Sequence, residues 1–221
     1  MNAAREVDVT FLMADLSGFT ALTEVHGDFH AVSVTTRFSD IARAALAPAA
    51  RLVERVGDQV LIVSPDATGA LQTAVELVRV IADEPFFPRF RAGLHSGRAV
   101  ERDGSYFGTT LNLTARVTAH ARAGQILCTE SVATAAQQLQ DVEIRPIGSV
   151  RFKNIADPVP VFDVLLRERE GAMVAIDPVC RMQVRRDTAP AHVELDGRLY
   201  YFCSSGCAEA FARRPEQYAK Q

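Results

Sequence analysis

The stretch from Val7 to Thr20, Val-Asp-Val-Thr-Phe-Leu-Met-Ala-Asp-Leu-Ser-Gly-Phe-Thr, constrains this chain more than any other. An apolar run suited to a buried strand ends at Asp15, and the small-residue turn Ser17-Gly18 leads into a helical pattern. A carboxylate at a strand end, beside the free N–H groups of a helix start, suits a metal-bound phosphate. The same carboxylate also suits a helix cap, so the stretch by itself leaves both readings open.

The chain's 221 residues allow one moderate domain plus something small. With 48% apolar and 23% charged residues, its composition is that of a soluble globular protein. A net charge of −3 provides no broad basic field, so neither a nucleic-acid nor an anionic-membrane partner is expected. No apolar run has the length of a membrane span and the start lacks a signal-peptide pattern, so the expected location is cytoplasmic. Cysteines there stay reduced and read as core thiols, metal ligands or redox groups.

Behind the opening strand, residues 19–47 read as helical, with a break near Gly27 and an end before Pro48. Residues 51–56 and 59–63 are β-prone and joined by Gly57-Asp58, a tight-hairpin signal that places Asp58 at the tip. Ser64-Pro65-Asp66 starts a helix that runs to about Ala82. Two strands, 89–95 and 98–102, are expected on either side of a turn at Ser96-Gly97. Gly108-Thr109 opens a helix over 110–121; then come a strand at 125–129, a helix at 130–138, and strands at 142–152 and 159–165. This order predicts an α+β fold, ferredoxin-like with added strands. The expected domains are 1–167 and 176–221, joined by a charged linker at 168–175.

Asp15 and Asp58 both stand at strand ends, where a pair of carboxylates can bind divalent ions. Asn112 and Arg116 are four apart on one helix face, an amide and a guanidinium suited to a sugar oxygen and a phosphate charge. A solvated helix face has the same pattern. Taken together, Met13–Thr20, Val56-Gly-Asp58, Arg91–Gly97, Tyr106–Arg116, Ala123–Leu127 and Phe152–Val159 resemble the class III nucleotide cyclase catalytic domain, in family order.

The resemblance implies that Asp15 and Asp58, with the Leu16 carbonyl, hold two Mg²⁺ or Mn²⁺ ions. It implies attack of the ribose 3′-oxygen on the α-phosphate of ATP or GTP, with pyrophosphate leaving. The backbone of Ser17, Gly18, Phe19 and Thr20 would cradle phosphate and Lys153 would pair with the terminal phosphates. Asn112 would orient the ribose and Arg116 would stabilise the pentavalent phosphorus. In this family the two aspartates and the Asn–Arg helix come from different subunits, so a homodimer is implied.

Two positions depart from the adenylate-forming pattern. Glu54 stands where those members usually carry lysine, and Ser105 where they carry aspartate or threonine. A carboxylate repels the adenine ring nitrogen but accepts the N–H groups of guanine, and a serine hydroxyl can donate to the guanine carbonyl. The pair therefore points to GTP, unless Glu54 is simply a solvated strand residue. His95 reads as structural and Cys128 as a core thiol. His26, His30 and His120 read as exposed helical residues without metal spacing.

Residues 176–221 are too few to build a sufficient core unaided. Asp196-Gly197 signals a hairpin; Cys203 ends its second strand and Cys207 falls in the first turn of the following helix, where a thiolate is favoured. Cys180 lies on a loop that can return to the same place. Asp177-Pro-Val-Cys180, Met182, Tyr201-Phe-Cys-Ser204, Cys207, Phe211, Pro215 and Tyr218 resemble the YHS domain, a small metal-binding module related to treble-clef zinc folds. The resemblance implies Zn²⁺ or another soft metal on Cys180, Cys203 and Cys207, with a fourth position open. A redox or merely buried Cys203–Cys207 pair is the plainer reading. Arg181 stands where that family usually has glycine. The expected function is thus a cytosolic purine nucleotide cyclase regulated through metal, the alternative being a silent cyclase-fold dimer that senses metal or nucleotide.

Overall fold

The apolar run of the first strand is continuous because both faces of its sheet are covered. In β1 (Arg5–Leu16), Leu12, Ala14 and Leu16 enter the main core, while Phe11 and Met13 enter a second core on the opposite face. The computed structural model describes residues 3–137, 139–167 and 174–219.

After β1 come α1 (Phe19–His26), α2 (Asp28–Ala44), β2 (Arg51–Val56), β3 (Gln59–Ser64) and α3 (Ala67–Asp83). Then follow β4 (Phe90–Arg102), β5 (Ser105–Phe107), α4 (Thr109–His120), β6 (Ile126–Thr129), α5 (Glu130–Ala136), β7 (Val142–Val150) and β8 (Val159–Leu166). The sheet order is β2-β3-β1-β4-β6-β8-β7, with β5 folded back on β4. All pairings are antiparallel except β4 with β6. The α+β expectation holds. Asp66 rather than Pro65 starts α3, its carboxylate accepting the Gly69 N–H at 2.7 Å.

One local expectation changes. Ser96-Gly97 is no turn: Ser96 and Gly97 pair with Thr10 and Val9 inside one unbroken strand. Glycine is needed there because a Cβ would stand 2.9 Å from the Thr110 hydroxyl of α4. The chain turns at Asp103-Gly104, as those two residues lead one to expect, both with positive φ, and returns as β5, an element the sequence reading did not anticipate.

The C-terminal residues form β9 (Val174–Ile176) with β10 (Gln183–Arg185), the hairpin β11 (Ala191–Leu195) with β12 (Arg198–Phe202), α6 (Ser205–Arg213) and α7 (Pro215–Tyr218). The linker expectation lies mostly outside the described residues, and its last two, Val174 and Ala175, already stand in β9. The small module relieves its size problem by sharing a core. Val179, Cys180, Met182, Phe202, Cys207 and Phe211 join the same buried cluster as Leu22, Phe38, Phe87 and Phe90. The Gln183 N–H donates to the Phe87 carbonyl at 3.0 Å, and Met182 bridges to Pro88. Among the described residues, no helix is long and apolar enough to cross a membrane.

Candidate active site and thiolate centre

Asp15 ends β1 opposite Gln59, and Asp58 sits at the adjoining hairpin tip, its carbonyl accepting the Leu16 N–H at 3.2 Å. Burial, and then the neighbouring Asp15 charge, push the Asp58 carboxyl above the usual carboxylate range. Two close carboxylates of this kind suit a hard divalent ion. Arg91, the β4 partner of Asp15, already places a cation there: its Nη2 and Nε lie 2.7 and 2.9 Å from one Asp15 oxygen.

The turn after β1 is open for an anion. Gly18 precedes α1 in the left-handed region with no side-chain cap, leaving the N–H groups of the first helical turn without one. The Ser17 N–H donates to the Arg89 carbonyl at 2.7 Å, while the Ser17 hydroxyl is buried without a hydrogen-bond partner among the described residues.

Asn112 and Arg116 are exposed on α4. That helix lies directly on β4, where a Cβ at Gly93 would come within 2.4 Å of the Thr118 nitrogen. At its start, Thr110 donates to the Arg98 carbonyl, and Arg98 pairs with Asp8. Seven strand residues from Asp8 to Asp15 span about 24 Å at about 3.4 Å each, so the Asn112 end of α4 lies far from the two aspartates of the same chain. Glu54, Ser105 and Lys153 are exposed as well, Glu54 just beyond a bulge in β2.

A second centre lies where the two modules meet. Cys180 and Cys203 have their sulfurs 3.4 Å apart and Cys203 and Cys207 3.7 Å apart. Asp177, fully buried, shapes the loop by accepting the N–H groups of Val179, Cys180 and Cys203 at 2.8, 3.3 and 2.8 Å. Ser204 caps α6 by accepting the Cys207 N–H at 3.2 Å. Hydrogen bonds from Cys180 and Cys203 draw the Cys207 thiol far below its ordinary range, and the same contacts raise Cys180. His26 joins them: its Nε2 is 3.6 Å from the Cys203 sulfur and 3.8 Å from that of Cys207. The reading of His26 as an exposed residue with no part in a metal cluster is therefore corrected; it is half-buried against the thiols. Cys128 is a core thiol as expected, pushed up to about 12 by burial.

The adenylate and guanylate cyclase catalytic domain matches residues 1–161, and the YHS domain matches residues 175–221. The chain belongs to the class III nucleotide cyclase family. A YHS domain follows its cyclase domain. The chain is 38% identical over 175 residues to the pH-sensitive adenylate cyclase MT1302 of Mycobacterium tuberculosis, covering 78% of this chain and 43% of that protein. It is 36% identical over 115 residues to an adenylate cyclase of Streptomyces griseus, covering 52% of this chain and 29% of that protein. The chain thus spans less than half the length of these curated relatives. Its fold resembles the adenylyl cyclase CyaB from P. aeruginosa, with a TM-score of 0.65 and 18% identity over 77% of this chain and 100% of that one. An adenylate/guanylate cyclase/hydrolase from Silicibacter pomeroyi gives 0.64 and 26% over 73% of this chain and 98% of that one.

Within the chain, Asp15, Leu16, Asp58 and the Ser17–Thr20 turn come together, and so do the three cysteines. The sequence reading missed two participants. Arg91 was visible only as the strand partner of Asp15, and His26 only as the histidine ending the helix behind the turn.

Proposed function

We propose that this chain is a purine nucleotide cyclase that forms a 3′,5′-cyclic nucleotide and pyrophosphate from ATP or GTP at a homodimer interface. The observation carrying this reading is the separation of Asn112 from the two aspartates in one chain. The Asn112 end of α4 lies by Arg98, which pairs with Asp8 far along β1 from Asp15. A second copy that brings its α4 to Asp15 and Asp58 completes the constellation, and two-fold symmetry makes two such sites.

In each site Asp15, Asp58 and the Leu16 carbonyl would hold two Mg²⁺ or Mn²⁺ ions; the oxygen donor set suits them. Bound there, the ions supply activation of the 3′-oxygen and neutralisation of phosphate charge. The turn from Ser17 to Thr20 binds phosphate through the backbone N–H groups of Gly18, Phe19 and Thr20, since that of Ser17 is held by the Arg89 carbonyl, and the buried Ser17 hydroxyl gains an acceptor. Lys153 meets the terminal phosphates. Asn112 from the partner copy orients the ribose, and Arg116 takes the charge that grows on the phosphorus. The 3′-oxygen bonds to the α-phosphorus and gives up its proton to solvent water, and the bond to the leaving pyrophosphate breaks. Relatives named as adenylate cyclases favour ATP, whereas Glu54 and Ser105 favour guanine. The YHS domain regulates the output through a soft metal on its three thiols.

The test supplies purified protein with ATP or GTP and Mn²⁺ and resolves the products, alongside Asp15→Ala and Arg116→Ala. Cyclic nucleotide made by the wild type and lost in both variants supports the reading. No cyclic nucleotide from either substrate supports the alternative, a silent cyclase-fold dimer, which the atypical Glu54 and Ser105 favour.

A further inference from the structure

We infer that His26 is the fourth ligand of a soft-metal site that spans the two modules, so that one ion ties the YHS domain to the helix beginning at the phosphate turn. The inference rests on the soft-metal reading of the three cysteines. It adds a ligand from the cyclase domain and a consequence for the nucleotide site.

Four of the six edges between the donor atoms have the lengths of a tetrahedral site. Bonds of about 2.3 Å to sulfur and about 2.0–2.1 Å to nitrogen place tetrahedral sulfurs roughly 3.8 Å apart, and sulfur and nitrogen roughly 3.5 Å apart. The observed edges are 3.4 and 3.7 Å between sulfurs, and 3.6 and 3.8 Å from His26 Nε2 to sulfur. All four donor atoms lie within 4.8 Å of one another. The donors come from one imidazole and three thiols, a set suited to a soft or borderline ion. A disulfide between two of the thiols would leave the histidine's approach to Cys203 and Cys207 without a purpose. His26 is held in place by the end of α1, where the Gly27 N–H closes the last turn on the Thr23 carbonyl at 2.8 Å.

The site reaches the nucleotide machinery along two routes. Helix α1 carries His26 in its last turn and starts directly behind Gly18, about 12 Å away by helix rise. On the other side, Cys180 is followed by Arg181, whose Cβ and Cγ lie 2.5 and 2.6 Å from where a Cβ on Gly18 would stand. A bound ion therefore fixes the YHS loop and the phosphate turn against each other. Any preference of nucleotide for the loaded form must return as an equal preference of metal for the nucleotide-bound form.

The 221-residue chain, reduced and freed of metal, would be titrated with Co²⁺ and then with competing Zn²⁺, comparing wild type with His26→Ala, His26→Cys and His30→Ala. The expected result is tetrahedral cobalt absorption with thiolate charge-transfer bands in the wild type and in His30→Ala. His26→Ala should weaken Zn²⁺ by about tenfold or more and shift the cobalt ligand-field bands, because solvent replaces the imidazole in the fourth position. His26→Cys should regain the affinity with bands shifted toward four sulfurs, which also shows that position 26 can change without unfolding the chain. A His26→Ala protein that keeps wild-type affinity and spectrum overturns His26 as ligand while leaving the three-thiol reading intact. A fully reduced wild type that takes up neither ion overturns both.

Discussion

Arg91 grips Asp15 through Nη2 and Nε at 2.7 and 2.9 Å, across adjacent strands and on the carboxylate that the family resemblance assigns to metal. The guanidinium balances a carboxylate whose side chain is only 16% exposed and which has Asp58 beside it. Without divalent ions, Arg91→Ala should lose about 1.5–3 kcal/mol of stability in urea unfolding, the range for a charge-assisted hydrogen bond. Added Mn²⁺ should restore part of that loss, because the ion replaces the missing cation. A variant that is as stable as wild type without metal would contradict this role.

Gly18 and Arg181 form a steric pair between the two modules. Gly18 has φ +79° and no room for a Cβ, while Arg181 itself adopts φ 70°, the backbone state that explains why glycine is usual at its position. Gly18→Ala should destabilise through both strain and collision. Arg181→Gly should relieve its own strain of about 1–2 kcal/mol, and the double variant should lose less than Gly18→Ala alone. Unfolding curves of all four proteins measure the coupling; strict additivity would mean that the contact has no energetic weight.

His95 sits mid-strand in β4 with Nδ1 2.7 Å from the Thr129 hydroxyl, and burial lowers its pKa below the ordinary 6.5. Between that lowered value and 6.5 the unfolded chain binds more protons than the native one. Stability contributed by neutral His95 is therefore present above about pH 6.5 and lost as pH falls through the lowered folded value. Urea midpoints measured from pH 7.5 to 5 should fall on the acid side, and His95→Gln should flatten that fall. An unchanged acid limb would assign the effect to other groups.

Glu54 stands exposed beyond the β2 bulge at the position expected to read the base. If it accepts from guanine, Glu54→Lys should lower kcat/KM for GTP relative to ATP by roughly tenfold or more. Competition assays with mixed nucleotides give the ratio directly. An unchanged ratio would make Glu54 a solvated strand residue.

Much of this was readable locally. The Gly57-Asp58 hairpin, the break at Gly27 and the Asp196-Gly197 hairpin are set by residues within a few positions of each other, and each forms where expected. The mistakes were non-local. Gly97 looks like a turn residue, but its lack of a side chain serves Thr110 on α4, which no nearby residue announces. His26 meets Cys203 and Cys207 across 177 and 181 positions, so spacing could not connect them. One signal was present: three thiols with a fourth position open, in a module too small for its own core, called for a ligand from elsewhere.

The most direct test of the central claim, two half-sites joined across a homodimer, is complementation between Asp15→Ala and Arg116→Ala. Each variant alone should make no cyclic nucleotide. Mixed in equal amounts and allowed to exchange subunits, they should recover about a quarter of wild-type activity, since half the dimers are mixed and each carries one intact site. No recovery in a mixture shown to contain mixed dimers, with the wild type active, would contradict the shared site.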